Sequence, residues 1–318
     1  MADRHHPRHG SMQYWPRVRA KKETPSVHFW TEKNSQFLGF AGFKAGMTHI
    51  HIKDLHPKYG KKGDIVNRPV TIVECPPLKP LALRFYTIDD EKGLRVNGHL
   101  FSAKASKDAS KRMIPPKNLE NVPKEWDEVR LLVHTQPGLT GIGKKKPDVF
   151  EMRIKQSKNL DDLKKLLEKE ISVTDVFNNG DYLDAHAVTK GKGYQGTVKR
   201  YGVPIRSHKA EKTKRGIGTL GPWTPKRVSY RVPQAGRMGY HLRTEFNKKV
   251  MKISSNPKEI NPKGGIVHYG NVKNTYVLID GSLPGPKHRL VIFTNAYRPK
   301  VAKPVISEIV YVNTESQQ

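Results

Sequence analysis

Residues 190–252 cannot build a hydrophobic core of their own, and that divides the chain into a part that must fold and a part that must find its partner outside. The segment holds 17 Lys and Arg against two acids, Glu211 and Glu245, with nine glycines, six aromatic rings and no sustained apolar period. It therefore carries +15 of the formal net charge of +29. Charge this concentrated implies an acidic surface to lie on.

Cations at this density attract phosphate because each Lys or Arg that meets a backbone phosphate releases condensed counterions, a gain that needs no core beneath it. The rings of Tyr194, Tyr201, Trp223, Tyr230, Tyr240 and Phe246 are suited to stacking on unpaired bases, which favours folded RNA over a regular duplex. The competing reading is a solvated basic loop, against which the aromatic content argues. A single cysteine, Cys75, excludes an intrachain disulfide and a Cys-only zinc site, and points to a reducing compartment. The N-terminus has charges where a signal peptide would have an apolar run, and no stretch approaches a membrane span, so a soluble intracellular protein is expected.

Residues 1–36 read as a basic N-terminal extension in which Arg8, Arg17, Arg19 and Lys21 alternate with prolines and with Tyr14, Trp15, Phe29 and Trp30; such an arm is not expected to bury itself. His5, His6 and His9 lack the further ligands that would close a metal shell, and no metal site is expected. Short β-branched and aromatic runs at 37–43, 47–52, 69–74 and 83–88 predict strands, as do 265–269, 275–279, 289–294 and 306–312. Strands at both ends of the chain predict one closed or nearly closed antiparallel sheet drawn from 37–89 and 172–318. Between them, 157–171 places Leu160, Leu163, Leu167 and Ile171 on one helical face, with Ser157 or Asn159 as cap, and 129–135 and 149–155 alternate like strands. Residues 90–171 are thus expected to form an α/β insertion.

After the insertion come Phe177, Asp184, Ala187, Thr189, Gly191-Lys192-Gly193, Gly196 and Arg200. At this spacing they resemble the signature of the universal large-subunit ribosomal protein number three family. The resemblance extends to Arg8-His-Gly-Ser11, Pro16-Arg17, Ala20-Lys21, Arg237-Met-Gly-Tyr-His241, Arg243-Thr244 and Asn247-Lys248-Lys249, which are similar to the archaeal and eukaryotic form, as is the long insertion. It implies a mainly β fold: a translation-factor-like antiparallel β-barrel with an α/β insertion, a basic extended arm and a long basic loop at 190–252. It further implies a non-enzymatic cytoplasmic component of the large ribosomal subunit. Such a component would bind large-subunit ribosomal RNA directly, help nucleate assembly, touch neighbouring large-subunit proteins, and form neither a homo-oligomer nor a membrane contact. No cofactor is implied, apart from structural magnesium that would belong to the RNA.

Gly221-Pro-Trp223-Thr-Pro225 stands where the family carries a loop-tip tryptophan that approaches the peptidyl-transferase region, so Trp223 is the residue carried over; the alternative is that it packs on its own protein. The loop before Trp223 is a few residues shorter than in eukaryotic relatives, and Lys214 stands where some have a modified histidine. The glycines Gly191, Gly193 and Gly196 would let backbone amides approach phosphate oxygens while Lys192, Lys199 and Arg200 neutralise them. Arg237, Gly239 and His241 would do the same on the returning limb, with Tyr240 either on a base or in the core. Lys212, Lys214, Arg215, Lys226, Arg227, Arg231, Arg243 and Lys248, with Arg8, Arg17, Arg19 and Lys21 of the arm, complete the expected RNA-binding set.

Two stretches approach a phosphate-binding P-loop and fail at the necessary positions. Gly138 and Gly143 are followed by Lys144 but then by Lys145 in place of Ser or Thr, and Gly191 and Gly196 are followed by Thr197 and Val198 without a lysine. His-Glu-x-x-His and Gly-x-Ser-x-Gly motifs are absent. The other class that charge and rings alone permit is a non-ribosomal RNA-binding or chaperone-like module, which only the signature separates from the first.

Overall fold

A computed structural model describes residues 8–32, 35–53, 63–91, 93–102, 107–116, 118–157, 159–299 and 308–315. His5 and His6 lie outside these residues, as do positions 306 and 307 of the last expected strand. The fold is mainly β and antiparallel. Chain contacts separate two compact units: Met1–Lys21 with Thr189–Leu242, here the basic unit, and Lys22–Val188 with Arg243–Gln318, here the sheet unit.

The chain lays down β1 (Gly39–Lys53) and β2 (Ile65–Glu74), then builds a second sheet from β3 (Lys79–Asp89), β4 (Gly93–Phe101), β5 (Glu120–Asn121), β6 (Glu128–His134) and β7 (Val149–Arg153). It continues through β8 (Tyr182–Val188), a small hairpin of β9 (Tyr194–Gln195) and β10 (Gly236–Arg237), and then β11 (Leu242–Ser254), β12 (Tyr276–Asp280), β13 (Leu290–Asn295) and β14 (Ile309–Val312). The short helices are α1 (Lys107–Ser110), α2 (Leu160–Leu166) and α3 (Thr197–Tyr201). The seven-stranded sheet runs β13-β8-β11-β12-β2-β1-β14, and β1 also pairs with β13 through Gly39–Phe43. The other large sheet runs β5-β4-β3-β6-β7. Among the described residues no helix is long and apolar enough to cross a membrane.

Several expectations shift. The runs at 37–43 and 47–52 are one strand, β1, whose register slips between Lys44 and Gly46 where a bulge absorbs the extra residue. β3 pairs with β4 and β6, so the second sheet begins at Lys79 and 83–88 belongs to it. One face of that sheet joins the main core, with Leu83, Phe85, Leu131 and Met152 in one apolar cluster with Phe40, Phe43, Phe177 and Phe293, while Leu81, Ala82, Phe101, Ala109 and Leu132 form a smaller cluster of their own. Each Leu, Phe or Met side chain among them contributes about 1.5–3 kcal/mol on burial. Residues 265–269 form a turn closed by an Ile266–Gly270 bridge, because Gly265, His268 and Gly270 all take positive φ. The helix expected over 157–171 ends at Leu166; Leu163 and Leu166 are buried, whereas Ile171 exchanges both backbone hydrogen bonds with Leu78 in a β-bridge.

The expected extension 1–36 divides at Lys21. Trp30 is buried in the sheet unit, and Gly39 makes room for it: a Cβ there would lie 2.6 Å from the indole ring. Thr24 is buried too and donates to the Asp148 carboxylate at 3.3 Å. Ordering this stretch is offset by tryptophan burial, which a polar arm lacks. The stretch 190–252 likewise ends as strand, since β11 takes everything from Leu242 onward.

Candidate nucleic-acid interface

Two limbs frame the basic unit. The outgoing limb, 189–202, and the returning limb, 234–242, pair through Gln195–Gly236 and Tyr194–Arg237, with Lys192 N–H donating to Met238 O at 2.9 Å and Met238 N–H to Gly193 O at 2.9 Å. At Gly239 the limbs pass so closely that a Cβ would stand 2.1 Å from the Lys190 carbonyl, and φ is +73°; only glycine fits. Thr189 N–H donates to His241 O at 3.0 Å, and His241 N–H returns a bond to the Thr189 hydroxyl at 3.1 Å.

The arm is threaded onto this frame. Ala20 N–H donates to Tyr240 O at 2.8 Å, and the buried His241 ring donates from Nδ1 to Val18 O at 2.7 Å. The Arg17 guanidinium donates to Arg200 O at 3.0 Å and lies 4.2 Å from the centroid of the Tyr201 ring. Trp15 stacks on Tyr201 at 6.2 Å and meets Tyr230 edge-on at 5.9 Å. Arg8 donates to Arg231 O at 2.8 Å. Arg200 donates from Nε to Arg237 O at 3.1 Å and from Nη1 to Gln234 O at 2.9 Å. Arg17, Arg200 and His241, expected at a phosphate surface, thus each make a bond that holds the unit together, and Tyr201, expected to stack on a base, is buried beneath Arg17 and Trp15.

Most of the remaining expected residues point outward. Arg8, Arg19, Lys21, Gly191, Lys192, Gly193, Gly196, Lys199, Lys212, Lys214, Arg215, Lys226, Arg227, Arg231 and Arg237 are exposed. A Cβ at Gly193 or Gly196 would meet no other atom of the chain within 4 Å, so both backbones are open to an approaching group. Trp223 is 83% exposed and Tyr194 73%, and the Lys226 ammonium lies 5.5 Å from the Trp223 ring centroid. Tyr230 and Phe246 are exposed, while Tyr240 is half-buried. Arg243 and Lys248 belong to the sheet unit, where Lys248 pairs with Glu245 at 2.7 Å.

The electrostatics follow from composition. Residues 8–21 and 189–242 hold 17 Lys and Arg and one acid, Glu211. Among the described residues, the ion pairs within 4 Å all lie in the sheet unit. The basic unit has no such ion pair among its described residues, and the guanidinium groups of Arg8, Arg17 and Arg200 donate to backbone carbonyls instead. No cluster of His, Cys, Asp and Glu suited to a metal occurs among the described residues.

Elsewhere in the signature, Phe177 and Ala187 are core residues. Asp184 accepts from Asn247 N–H at 2.8 Å and Tyr297 N–H at 2.9 Å, bonds that oppose the upward push of burial on its carboxyl. Trp15 is the residue that sequence reasoning undervalued. Its signal, a ring between basic residues of the arm, is the same as that of rings left exposed.

Comparison with known proteins gives one answer. The Ribosomal protein L3 family model matches residues 1–115 and 99–318. The chain is 43% identical to the large ribosomal subunit protein uL3 of Methanothrix thermoacetophila, over 100% of this chain and 99% of that protein. It is 43% identical to the uL3 of Archaeoglobus fulgidus, over 99% and 98%, and 40% identical to that of Methanocaldococcus jannaschii, over 98% and 97%.

Proposed function

Because the chain belongs to the Ribosomal protein L3 family, we propose that it is a cytoplasmic structural component of the large ribosomal subunit and not an enzyme, bound directly to large-subunit ribosomal RNA. The observation that carries the RNA contact is the array of exposed cations on the acid-poor basic unit. Lys192, Lys199, Lys212, Lys214, Arg215, Lys226, Arg227, Arg231 and Arg237, with Arg8, Arg19 and Lys21, neutralise phosphates, while the open backbones at Gly193 and Gly196 let phosphate oxygens approach. Arg17, Arg200 and His241 hold arm and limbs in register for that contact.

Trp223 extends toward the peptidyl-transferase region and positions RNA without reacting. Its support is its near-complete exposure at a Gly- and Pro-rich tip. The protein helps nucleate subunit assembly and touches neighbouring large-subunit proteins. We infer too that the seven-stranded sheet is a translation-factor-like barrel, a reading supported by the pairing of β1 with both β2 and β13.

The test is fractionation of a native lysate on a sucrose gradient in magnesium buffer. Stoichiometric presence in the large-subunit peak is expected; absence from that peak overturns the proposal.

A further inference from the structure

The sheet unit carries an aromatic pair that its own core does not use. Phe29 and Tyr297 are 53% and 46% exposed, and their rings meet edge to face with centroids 4.3 Å apart. The Arg298 guanidinium lies 5.3 Å from the Tyr297 centroid. Single exposed rings are ordinary, but two rings and a guanidinium assembled in contact at the surface form a shaped site.

The site is held by buried groups. Phe29 precedes Trp30, whose indole is locked into the core. Tyr297 follows β13, and its N–H is fixed by the buried Asp184 carboxylate, whose other oxygen fixes Asn247, the neighbour of the exposed ring Phe246. Asn295 donates to Thr31 O at 3.4 Å and so joins the two segments that carry the rings. Asp184, a signature residue without a contact role, thus acts through the backbone to place Tyr297. Rings placed in advance lose little entropy when a partner stacks on them.

We propose that Phe29, Tyr297 and Arg298 form a stacking platform for an unpaired nucleobase of ribosomal RNA, separate in residues from the basic unit. The ligand class follows from the chemistry. Aromatic faces beside a guanidinium take a base and its phosphate together, and such stacking tolerates any base because each has a π-face. His28, exposed and next to Phe29 in the chain, adds a polar imidazole to this surface. A protein partner would be favoured by a wide apolar surface, whereas the chain neighbours of the two rings include Arg298 and His28, with the Arg298 guanidinium against Tyr297.

This rests on the ribosomal reading above, and the experiment separates the two. Large subunits are purified from cells whose only copy of the protein is wild type, a Phe29→Ala/Tyr297→Ala double variant, or Phe29→Trp, and their RNA is probed chemically for nucleotide reactivity. Both alanine changes leave the Asp184 bonds intact, because those bonds go to the backbone; equal thermal unfolding midpoints of the purified proteins check the fold. A small set of unpaired nucleotides should become about fivefold or more reactive in the double variant, as the removal of stacking requires, and Phe29→Trp should retain their protection. Unchanged reactivity in the double variant overturns the platform, and so does loss of a neighbouring protein with the RNA unaltered. Absence of the wild-type chain from the large-subunit peak would instead remove the ribosomal reading, before any variant is compared.

Discussion

Replacing Lys212, Lys214 and Arg215 together by glutamine tests the electrostatic argument at its centre. All three side chains are exposed and lie in the acid-poor basic unit. Their internal bonds run through the backbone: Lys214 O accepts from Arg206 N–H at 2.9 Å and Arg215 O from the Thr197 hydroxyl at 3.1 Å, and glutamine preserves both. The substitution therefore removes charge without removing structure. If about six to ten cations of the wild type meet phosphates, the log–log slope of affinity against salt is on the order of −5 to −9, and every phosphate deprived of its cation lowers that magnitude by about 0.7–0.9. The triple variant should therefore be shallower by roughly 2 to 2.7.

Fluorescence anisotropy with transcribed large-subunit RNA between about 50 and 400 mM KCl reads this slope. Arg200→Gln is the contrast, because its donors already serve Gln234 O and Arg237 O. It should cost about 1.5–3 kcal/mol of stability for each charged hydrogen bond removed and change the slope little. A flat wild-type slope, or a triple variant as steep as the wild type, would refute the reasoning.

Other consequences are more local. Gly239→Ala forces a Cβ to within 2.1 Å of the Lys190 carbonyl at φ +73°, so it should destabilise the protein by at least about 1–3 kcal/mol, read as a lowered urea midpoint; an unchanged midpoint would mean the limbs can part. Glu74 is fully buried and accepts from the Tyr269 hydroxyl at 2.5 Å, Lys273 N–H at 2.9 Å, Asn274 N–H at 3.0 Å and Asn274 Nδ2 at 2.7 Å. Glu74→Ala orphans these donors and should cost about 3–5 kcal/mol, measured by thermal unfolding. His186 is buried between the hydroxyls of Thr244 and Thr294, and burial lowers its pKa from 6.5 to about 4. The unfolded chain then binds the extra proton between those values, so this group's contribution is full above pH 6.5 and declines toward pH 4, by roughly 3 kcal/mol in all. His186→Gln should flatten that part of the stability curve, and a curve identical to wild type would exclude the assignment. Trp223→Ala should leave the unfolding midpoint within about 0.5 kcal/mol of wild type while impairing peptide-bond formation by reconstituted subunits; a large loss of stability would place the ring in the core.

Composition and spacing alone determined that one segment concentrates the positive charge, because 17 of its residues are cations and only two are acids. They also located β6, β7, β12 and β13, whose apolar alternation or continuous β-branched runs are local signals, and the first turns of α2, where Leu160 and Leu163 repeat at helical spacing. The signature identified the family before any tertiary contact was known.

What sequence could not decide were choices between groups of the same kind. Tyr194 and Tyr201 share one Gly- and Lys-rich stretch, yet Tyr194 is exposed and Tyr201 buried, because Arg17 and Trp15 arrive on Tyr201 from some 180 positions earlier. Ile171 continues a helical stripe but leaves it for the backbone of Leu78. The run at 83–88 reads as any strand does, and only pairing with β4 and β6 assigns its sheet. Arg200 is as basic as Lys199, but carbonyls of the returning limb engage its guanidinium while Lys199 stays in solvent. Charge balance and periodicity are sums over neighbours in the chain, so the sequence contains them; burial and hydrogen-bond partners depend on segments brought together across long loops, and only the tertiary structure sets those.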